Sequence, residues 1–547
     1  MIKYHDIKQW AMVVTTSLFI TAVLASCTKN FQKENAPYSG PASATLQQLY
    51  TGIGANLDRA ANIGNWAEAR WLYPVTQLGA VYAVSDFGFV EGQNWSLFYS
   101  NLPAMDQMLT TMTSSPDSAT YTNAIGMVKV LRAYEALEVS NLYGDMPYSK
   151  AGKAFSGSTA DLKVPYDKQQ AVYLSCLADL TWAANHFTTS STQFSFGSEF
   201  LLNNNIDQWK AFANSLRLRY ALTMYDKDNT DAAPIIADAI TKLSSNPLTD
   251  VVGFKQANIP GISFDIDGAG RGFFFHQESR ARMGSTLWNL FSSNNNTDGS
   301  GIFDLRCKIF FEVNGAGNWV PYPQNPATPI TDGGDPYNTE RDADNKGWSA
   351  HKDGNLYSDY NYYWGRDGIA TGSTGACPEI FITPAEVHFL KAEVYARGVA
   401  GVAQSTSSAQ SEYNAGVTAS LTFWNSVAYN SSVWVVNKPT SETPSAATIN
   451  TILANPKVAF NSTNALSLIY AQEWIDMFRQ PWLAWTLLRR TGGATPMDTN
   501  NPAGYKQNYG SLQRYQYPAD EAQLNTANWK AATGGSDLTS TKIWITK

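Results

Sequence analysis

The sequence predicts a predominantly α-helical protein: a tetratricopeptide-like scaffold of helix pairs carrying an irregular, loop-rich subdomain. Three observations predict it. Apolar residues recur at three-to-four spacing in several segments separated by turn-forming residues. A strong helix start at Thr383-Pro384-Ala385-Glu386 is followed by a second helical pattern, giving a pair of the size used in tetratricopeptide-type repeats. From about Val251 to Pro378 the periodicity gives way to Gly, Asn, Asp, Pro and aromatics. With 547 residues and 44% apolar content the chain can bury a sizeable core.

In chain order, Lys3 and Lys8 precede an apolar run from Ala11 to Leu24, too short for an ordinary membrane span and of signal-peptide length. Leu24-Ala25-Ser26-Cys27 resembles the lipobox of bacterial lipoproteins, in which the leader (residues 1–26) is removed and Cys27 is acylated with palmitate-type chains. Residues 27–43 are polar and aperiodic, the composition of a tether. The remainder, 44–547, reads as a single domain with its irregular insert at about 251–378. Val130, Leu131, Tyr134 and Leu137 mark a helix that begins near Met127 and stops at Asn141-Leu142-Tyr143-Gly144-Asp145-Met146-Pro147. Tyr173, Leu177, Leu180, Ala184 and Phe187 form a second stripe; Trp209, Phe212, Leu216 and Tyr220 form a third, with Arg217 and Arg219 turned elsewhere. Thr383 caps a helix through Val387, Leu390 and Val394 to Gly398, with Glu386 closing a capping box; Tyr413, Val417, Leu421 and Trp424 mark its companion.

Several function classes are excluded or disfavoured. A net charge of -7 argues against a nucleic-acid partner, which requires a concentrated basic surface. Beyond Cys27, the odd set Cys176, Cys307 and Cys377 gives no disulfide framework, and no Cys or His pair stands at metal-ligand spacing. No cofactor motif is present: Gly268-Ala269-Gly270-Arg271-Gly272 lacks the Lys of a phosphate loop. Asp265, Asp267 and Glu278 are the best carboxylates for a glycoside hydrolase, but neighbouring Arg271, Arg280 and Arg282 suit them equally to ion pairing.

Three separated stretches resemble the SusD/RagB-like family, particularly its SusD-like branch. They are Asn141-Leu142-Tyr143-Gly144-Asp145-Met146-Pro147-Tyr148-Ser149; Phe381-Ile382-Thr383-Pro384-Ala385-Glu386-Val387 running through Leu390-Lys391-Ala392-Glu393 to Gly398; and Gln472-Glu473-Trp474-Ile475 through Arg489-Arg490-Thr491-Gly492 to Arg514-Tyr515-x-Tyr517-Pro518. Physically these are fold markers. Gly144 permits a tight turn, Pro147 blocks helix continuation, Asp145 can bond nearby amides, and Arg489 and Arg490 suit a helix C-terminus.

The resemblance implies an outer-membrane, lipid-anchored, surface-exposed protein without enzymatic activity. It would capture oligosaccharides, or peptides in RagB-type members, and sit as a lid on a SusC-like TonB-dependent transporter. One departure is the segment after Cys27, Thr28-Lys29-Asn30-Phe31-Gln32-Lys33-Glu34, which lacks the acidic cluster frequent in surface-exported relatives. A sugar needs flat aromatic platforms beside amides and carboxylates. The insert supplies Trp319, Trp348, Tyr360, Tyr363 and Trp364 in such company, and Asn65-Trp66 and Asn94-Trp95 repeat it earlier; these seven aromatics are the candidate ligand contacts.

Overall fold

A computed structural model describes residues 44–57, 71–81, 92–153, 162–254, 282–324, 356–361, 377–399, 401–431, 434, 437–498, 505, 509 and 511–547. Cys27 with the leader and tether, Trp66, Trp348, Tyr363, Trp364, Asp265, Asp267 and Glu278 lie outside the described residues. The chain divides into two compact units, Met1–Leu49 and Tyr50–Lys547. Of the first only 44–49 is described, where Thr45 and Gln48 cap each other's backbone amides at 2.9 and 3.2 Å. All that follows concerns the second.

Helices dominate it. They are α1 (Leu46–Asn56, of which Tyr50 onward belongs to this unit), α2 (Tyr73–Thr76), α3 (Gln93–Thr113), α4 (Thr122–Tyr143), α5 (Gln169–His186), α6 (Ile206–Met224) and α7 (Asn229–Ser245), then the short α8 (Ser285–Phe291) and α9 (Arg306–Phe310). After these come α10 (Pro384–Arg397), α11 (Thr406–Asn430), α12 (Ala446–Leu453), α13 (Ala465–Asp476), α14 (Pro481–Arg490), α15 (Ala519–Leu524) and α16 (Thr526–Thr533). They pack as consecutive pairs: α3 with α4, α4 with α5, α6 with α7, α10 with α11. Helix α4 is central, buried along nearly its whole length from Asn123 to Tyr143. No helix among the described residues is long and apolar enough to cross a membrane.

One expectation about polar residues gains its partners and another is corrected. Helix α6 is buried all round, so Arg217 and Arg219 do not face solvent: Arg217 reaches Asp238 on α7 at 2.7 Å, and Arg219 grips both oxygens of Glu386 at 2.5 and 2.6 Å. A buried guanidinium needs such a partner. Thr383 caps α10 through the Glu386 amide (3.0 Å), but the Glu386 carboxylate serves Arg219 instead of closing a capping box.

The family-like stretches meet in space, which accounts for their spacing along the chain. Gly144 ends α4 at φ +90°, where a Cβ would lie 2.8 Å from Ile543 Cγ2, so the position excludes other residues on both counts. Asp145 reaches beyond its own turn to accept the Gln169 amide at the start of α5 (2.9 Å). Four further hydrogen bonds tie this turn to the C-terminal stretches: Arg489 Nη2 to Asn141 O (2.8 Å), the Tyr515 amide to Leu142 O (2.7 Å), Arg514 Nη1 to Tyr143 O (2.9 Å) and the Tyr517 hydroxyl to Asp145 O (2.7 Å). Arg490 donates to Glu393 of α10 at 2.8 and 3.1 Å. The motifs are thus mutual hydrogen-bonding partners that set how helices join.

The described part of the insert is chiefly irregular. Two short antiparallel pairs punctuate it: β1 (Val252–Phe254) with β4 (Glu379–Ile382), and β2 (Phe311–Glu312) with β3 (Asp359–Tyr360). Gly253 sits where a Cβ would stand 2.3 Å from Glu379 O, so close strand approach requires glycine there.

Candidate functional site

The insert is built onto an early loop of the scaffold. Residue 77 turns the chain at φ +60°, and Gln77 Oε1 then accepts the Thr286 hydroxyl at 2.6 Å. The Ala80 and Arg282 backbones exchange two hydrogen bonds at 3.0 and 2.8 Å. The Met283 amide bonds to Ser358 O (2.9 Å) and the Tyr322 amide to Met283 O (2.8 Å). Gln324 Nε2 returns to Gly79 O at 3.0 Å, and the Tyr360 hydroxyl to Leu78 O at 3.1 Å. A Cβ on Gly79 would meet that hydroxyl at 1.9 Å, so the contact needs glycine. Four extended segments, around residues 79–80, 282–284, 320–324 and 358–360, therefore lie together. At their centre Arg282 and Asp359, both fully buried, form an ion pair.

This arrangement brings chain ends to one place. Of the eight described residues that flank the segments 82–91, 255–281, 325–355 and 362–376, five, Val81, Arg282, Gln324, Leu356 and Asn361, lie in or within two residues of the four extended stretches, while Gly92, Phe254 and Cys377 do not. Trp348, Tyr363 and Trp364 belong to two of those segments.

Three of the predicted ligand contacts are placed, and all three are core. Trp95 is 6% exposed, enclosed by Tyr99, Tyr143, Tyr166 and Tyr517 at ring separations of 4.9 to 6.2 Å. Trp319, 5% exposed, stacks on Trp288 (6.2 Å, 8°). Tyr360 is fully buried between Tyr73, Phe311 and Phe478. Covered rings offer no free face to a sugar, so for these three residues the expectation is corrected. Trp319 and Tyr360 help hold together the foundation formed by the four segments, whereas Trp95 packs against the end of α4. What the sequence did not reveal was that foundation: Gln77, Gly79, Gln324 and the Arg282–Asp359 pair carry no local motif.

A second candidate is a partly open space of about 60 Å³ between α1, α3, α4 and β4, lined by Asn56, Phe98, Glu135, Glu138 and Phe381 among others. It has room for a few waters, well below the roughly 300–1,000 Å³ of sites that enclose organic ligands. Burial pushes Glu135 up to about 8, against the two hydrogen bonds of 3.1 Å that Asn101 donates to its oxygens. A carboxyl held neutral in the fold but ionised when unfolded costs stability as pH rises: its contribution is complete below about pH 4.5 and lost toward pH 8. Glu135→Gln removes that loss. The stability difference between variant and parent should grow with pH across this window, by up to about 1.4 kcal/mol per unit. Thermal melts at pH 4.5, 6 and 8 check this; a pH-independent difference would show that Glu135 ionises normally.

Among the described residues no group of three or more His, Cys, Asp or Glu side chains is placed to hold a metal ion. Cys176, Cys307 and Cys377 form no disulfide among the described residues, and burial pushes Cys176 up to about 12.

A family model described as starch-binding and associating with the outer membrane, SusD-like, matches residues 34–261 and 334–518, well over half of the chain. The chain belongs to the SusD-like family. The gap between the two matched segments of this SusD-like chain falls inside the irregular insert. Solved structures with the same fold include a chitin-binding protein (19% identical, TM-score 0.66, covering 92% of this chain and 100% of its own). A SusD homologue from Bacteroides fragilis (17%, TM-score 0.64, 92% and 100%) and one from Parabacteroides distasonis (18%, TM-score 0.64, 92% and 98%) share it too. No curated protein matches the sequence. At these identities the structural likeness establishes the fold of the SusD-like chain, a helical scaffold with a loop-rich subdomain.

Proposed function

We propose that this SusD-like protein captures oligosaccharides without chemical conversion and delivers them to a SusC-like TonB-dependent transporter. It would be held at the outer-membrane surface by acyl chains on Cys27. Family membership supports the ligand class and the membrane. The observation that supports the location is the convergence of four of the insert's chain ends, Arg282, Gln324, Leu356 and Asn361, on or beside the Arg282–Asp359 cluster. Trp348, Tyr363 and Trp364, with Trp66 from the early loop, form the aromatic platform in this reading. The C–H faces of sugar rings dock on the indoles, while hydroxyls bond to the neighbouring Asn, Asp and Lys side chains. Low affinity and fast dissociation suit a protein that must release its cargo.

Calorimetric titration tests this, using the protein from Cys27 onward with that cysteine replaced, against plant, host and microbial oligosaccharides and a peptide digest. The expected result is saturable glycan binding with no turnover, weakened about tenfold or more in Trp348→Ala/Trp364→Ala, in line with the loss of two stacking faces. Trp319→Ala should instead lower the melting temperature. Glycan turnover would restore the hydrolase reading, and binding of peptides alone would place the protein with the RagB-type members.

A further inference from the structure

A second open cleft lies on different elements, where the start of α11 faces the loop leading into α13. It has a volume of about 470 Å³ and is lined by Thr406, Gln410, Phe460, Ser462 and Asn464, with Ala459 and Leu468 at its base. No residue of the insert contributes to it.

Its chemistry is uniform. No charged side chain lines it, and the nearest charges along the chain are engaged elsewhere. Lys457 donates to the carbonyl oxygens of Asn289 and Ser292, and Glu412 pairs with His388 and Lys391 at 2.6 and 2.5 Å. The side chains of Thr406, Gln410, Ser462 and Asn464 carry hydroxyl and amide groups that make no hydrogen bond among the described residues, and all four residues are exposed. Phe460, half-buried, adds an aromatic surface, its ring 5.5 Å from that of Tyr413.

The walls are fixed before any ligand arrives. The Tyr413 hydroxyl bonds to Val458 O at 2.6 Å, Asn461 Oδ1 accepts the Thr463 amide at 2.9 Å, and Ser405 caps α11 through the Ser408 amide at 3.2 Å. A pre-formed, uncharged cleft with free amides and hydroxyls around one aromatic ring matches a polyhydroxylated neutral ligand. An acidic or basic ligand would find no counter-charge there.

We propose that this cleft is a second carbohydrate site, separate from the insert, that takes one or two rings of a neutral oligosaccharide. The sugar's C–H face rests on Phe460, and its hydroxyls bond to Gln410, Asn464, Ser462 and Thr406. The site stands on its own chemistry and does not depend on where the insert binds.

Saturation-transfer difference NMR on the full chain tests it. The probes are maltotriose, cellotriose, xylotriose and chitotriose, with a terminally blocked trialanine peptide as a non-sugar control. The measurement is made in the Trp348→Ala/Trp364→Ala background, in which the proposed insert platform is weakened. At least one glycan should still receive saturation, and its binding should weaken about tenfold on adding Gln410→Ala/Asn464→Ala, as loss of two hydrogen bonds implies. These residues are exposed and the fold does not depend on them. Phe460→Ala should weaken binding similarly and Phe460→Trp should keep it. No transfer to any glycan in the background variant, or transfer unaffected by Gln410→Ala/Asn464→Ala, overturns the proposal. Preferential transfer to the peptide overturns the sugar assignment.

Discussion

Asp359→Ala is expected to destabilise the protein by about 3–5 kcal/mol, the usual cost of removing one member of a buried ion pair. Arg282 and Asp359 are both fully buried, and the loss leaves a guanidinium inside the protein without this carboxylate. The damage should be local as well as global. Asp359 sits in β3, paired with Glu312, and its neighbour Ser358 accepts from the Met283 amide; Arg282 in turn bridges to Ala80. Loosening this centre frees the ends from which the aromatic-bearing segments leave. Glycan affinity should therefore fall in Asp359→Ala even at temperatures where the scaffold stays folded. Denaturant unfolding gives the first quantity and calorimetric titration the second. Arg282→Met/Asp359→Leu should cost less than the two single changes together, because the pair is coupled. A loss below about 1 kcal/mol, the range of exposed ion pairs, would show the pair to be solvated and remove it as the insert's anchor.

The sequence is most legible where the physics is local. Thr383 and Pro384 announce a helix start from four consecutive residues, and the structure begins α10 there and ends it at Gly398, at φ +68°. The turn after α4 is likewise written in Gly144 and Pro147. Long-range partners are another matter. Asp145 looks like a local turn-former, yet its acceptor oxygen serves the start of α5. Arg217 and Arg219 look like a polar face because their spacing differs from the apolar stripe, but α6 is surrounded and both side chains find partners on other helices, Arg217 the Thr181 hydroxyl and Asp238, Arg219 the buried Glu386. Aromatic residues mislead in the same way. Asn94-Trp95 and Asn318-Trp319 have the composition of a sugar platform, while burial depends on neighbours such as Tyr517 and Trp288, respectively far along the chain and some thirty residues before it. The uncharged cleft at Phe460 escaped for the converse reason: its polar residues come from two stretches more than forty residues apart, neither unusual alone.

Arg490→Ala should match or exceed the first effect. Its guanidinium, 6% exposed, lies among two buried glutamates, donating to both oxygens of Glu393 and standing 3.6 Å from Glu473. The two carboxyls respond in opposite directions. Burial alone would raise both, but for Glu393 the guanidinium of Arg490, helped by Arg397 and the Tyr470 hydroxyl, brings the carboxyl below its usual range. Glu473, farther away and facing Glu393, is pushed up to about 8 by burial. One arginine thus keeps Glu393 charged while its neighbour stays neutral. Without it, Glu393 keeps only Arg397 and Tyr470, and a loss of about 3–5 kcal/mol follows from a buried carboxylate stripped of its main partner. The sign of the pH dependence identifies the cause. A depressed carboxyl stabilises the fold above its unfolded pKa and ceases to do so as pH falls through the folded value. The deficit of Arg490→Ala should therefore be largest near neutral pH and shrink on acidification, because the variant's Glu393, buried without its main partner, takes up a proton at a higher pH than the parent's. Arg490→Lys should recover only part of the stability, since one ammonium cannot reproduce the two-pronged contact. Unfolding curves of the parent and both variants at pH 4 and 7 decide the matter: a deficit equal at the two pH values would mean that Arg490 acts through packing on Tyr470, 5.7 Å from its ring, and not through charge.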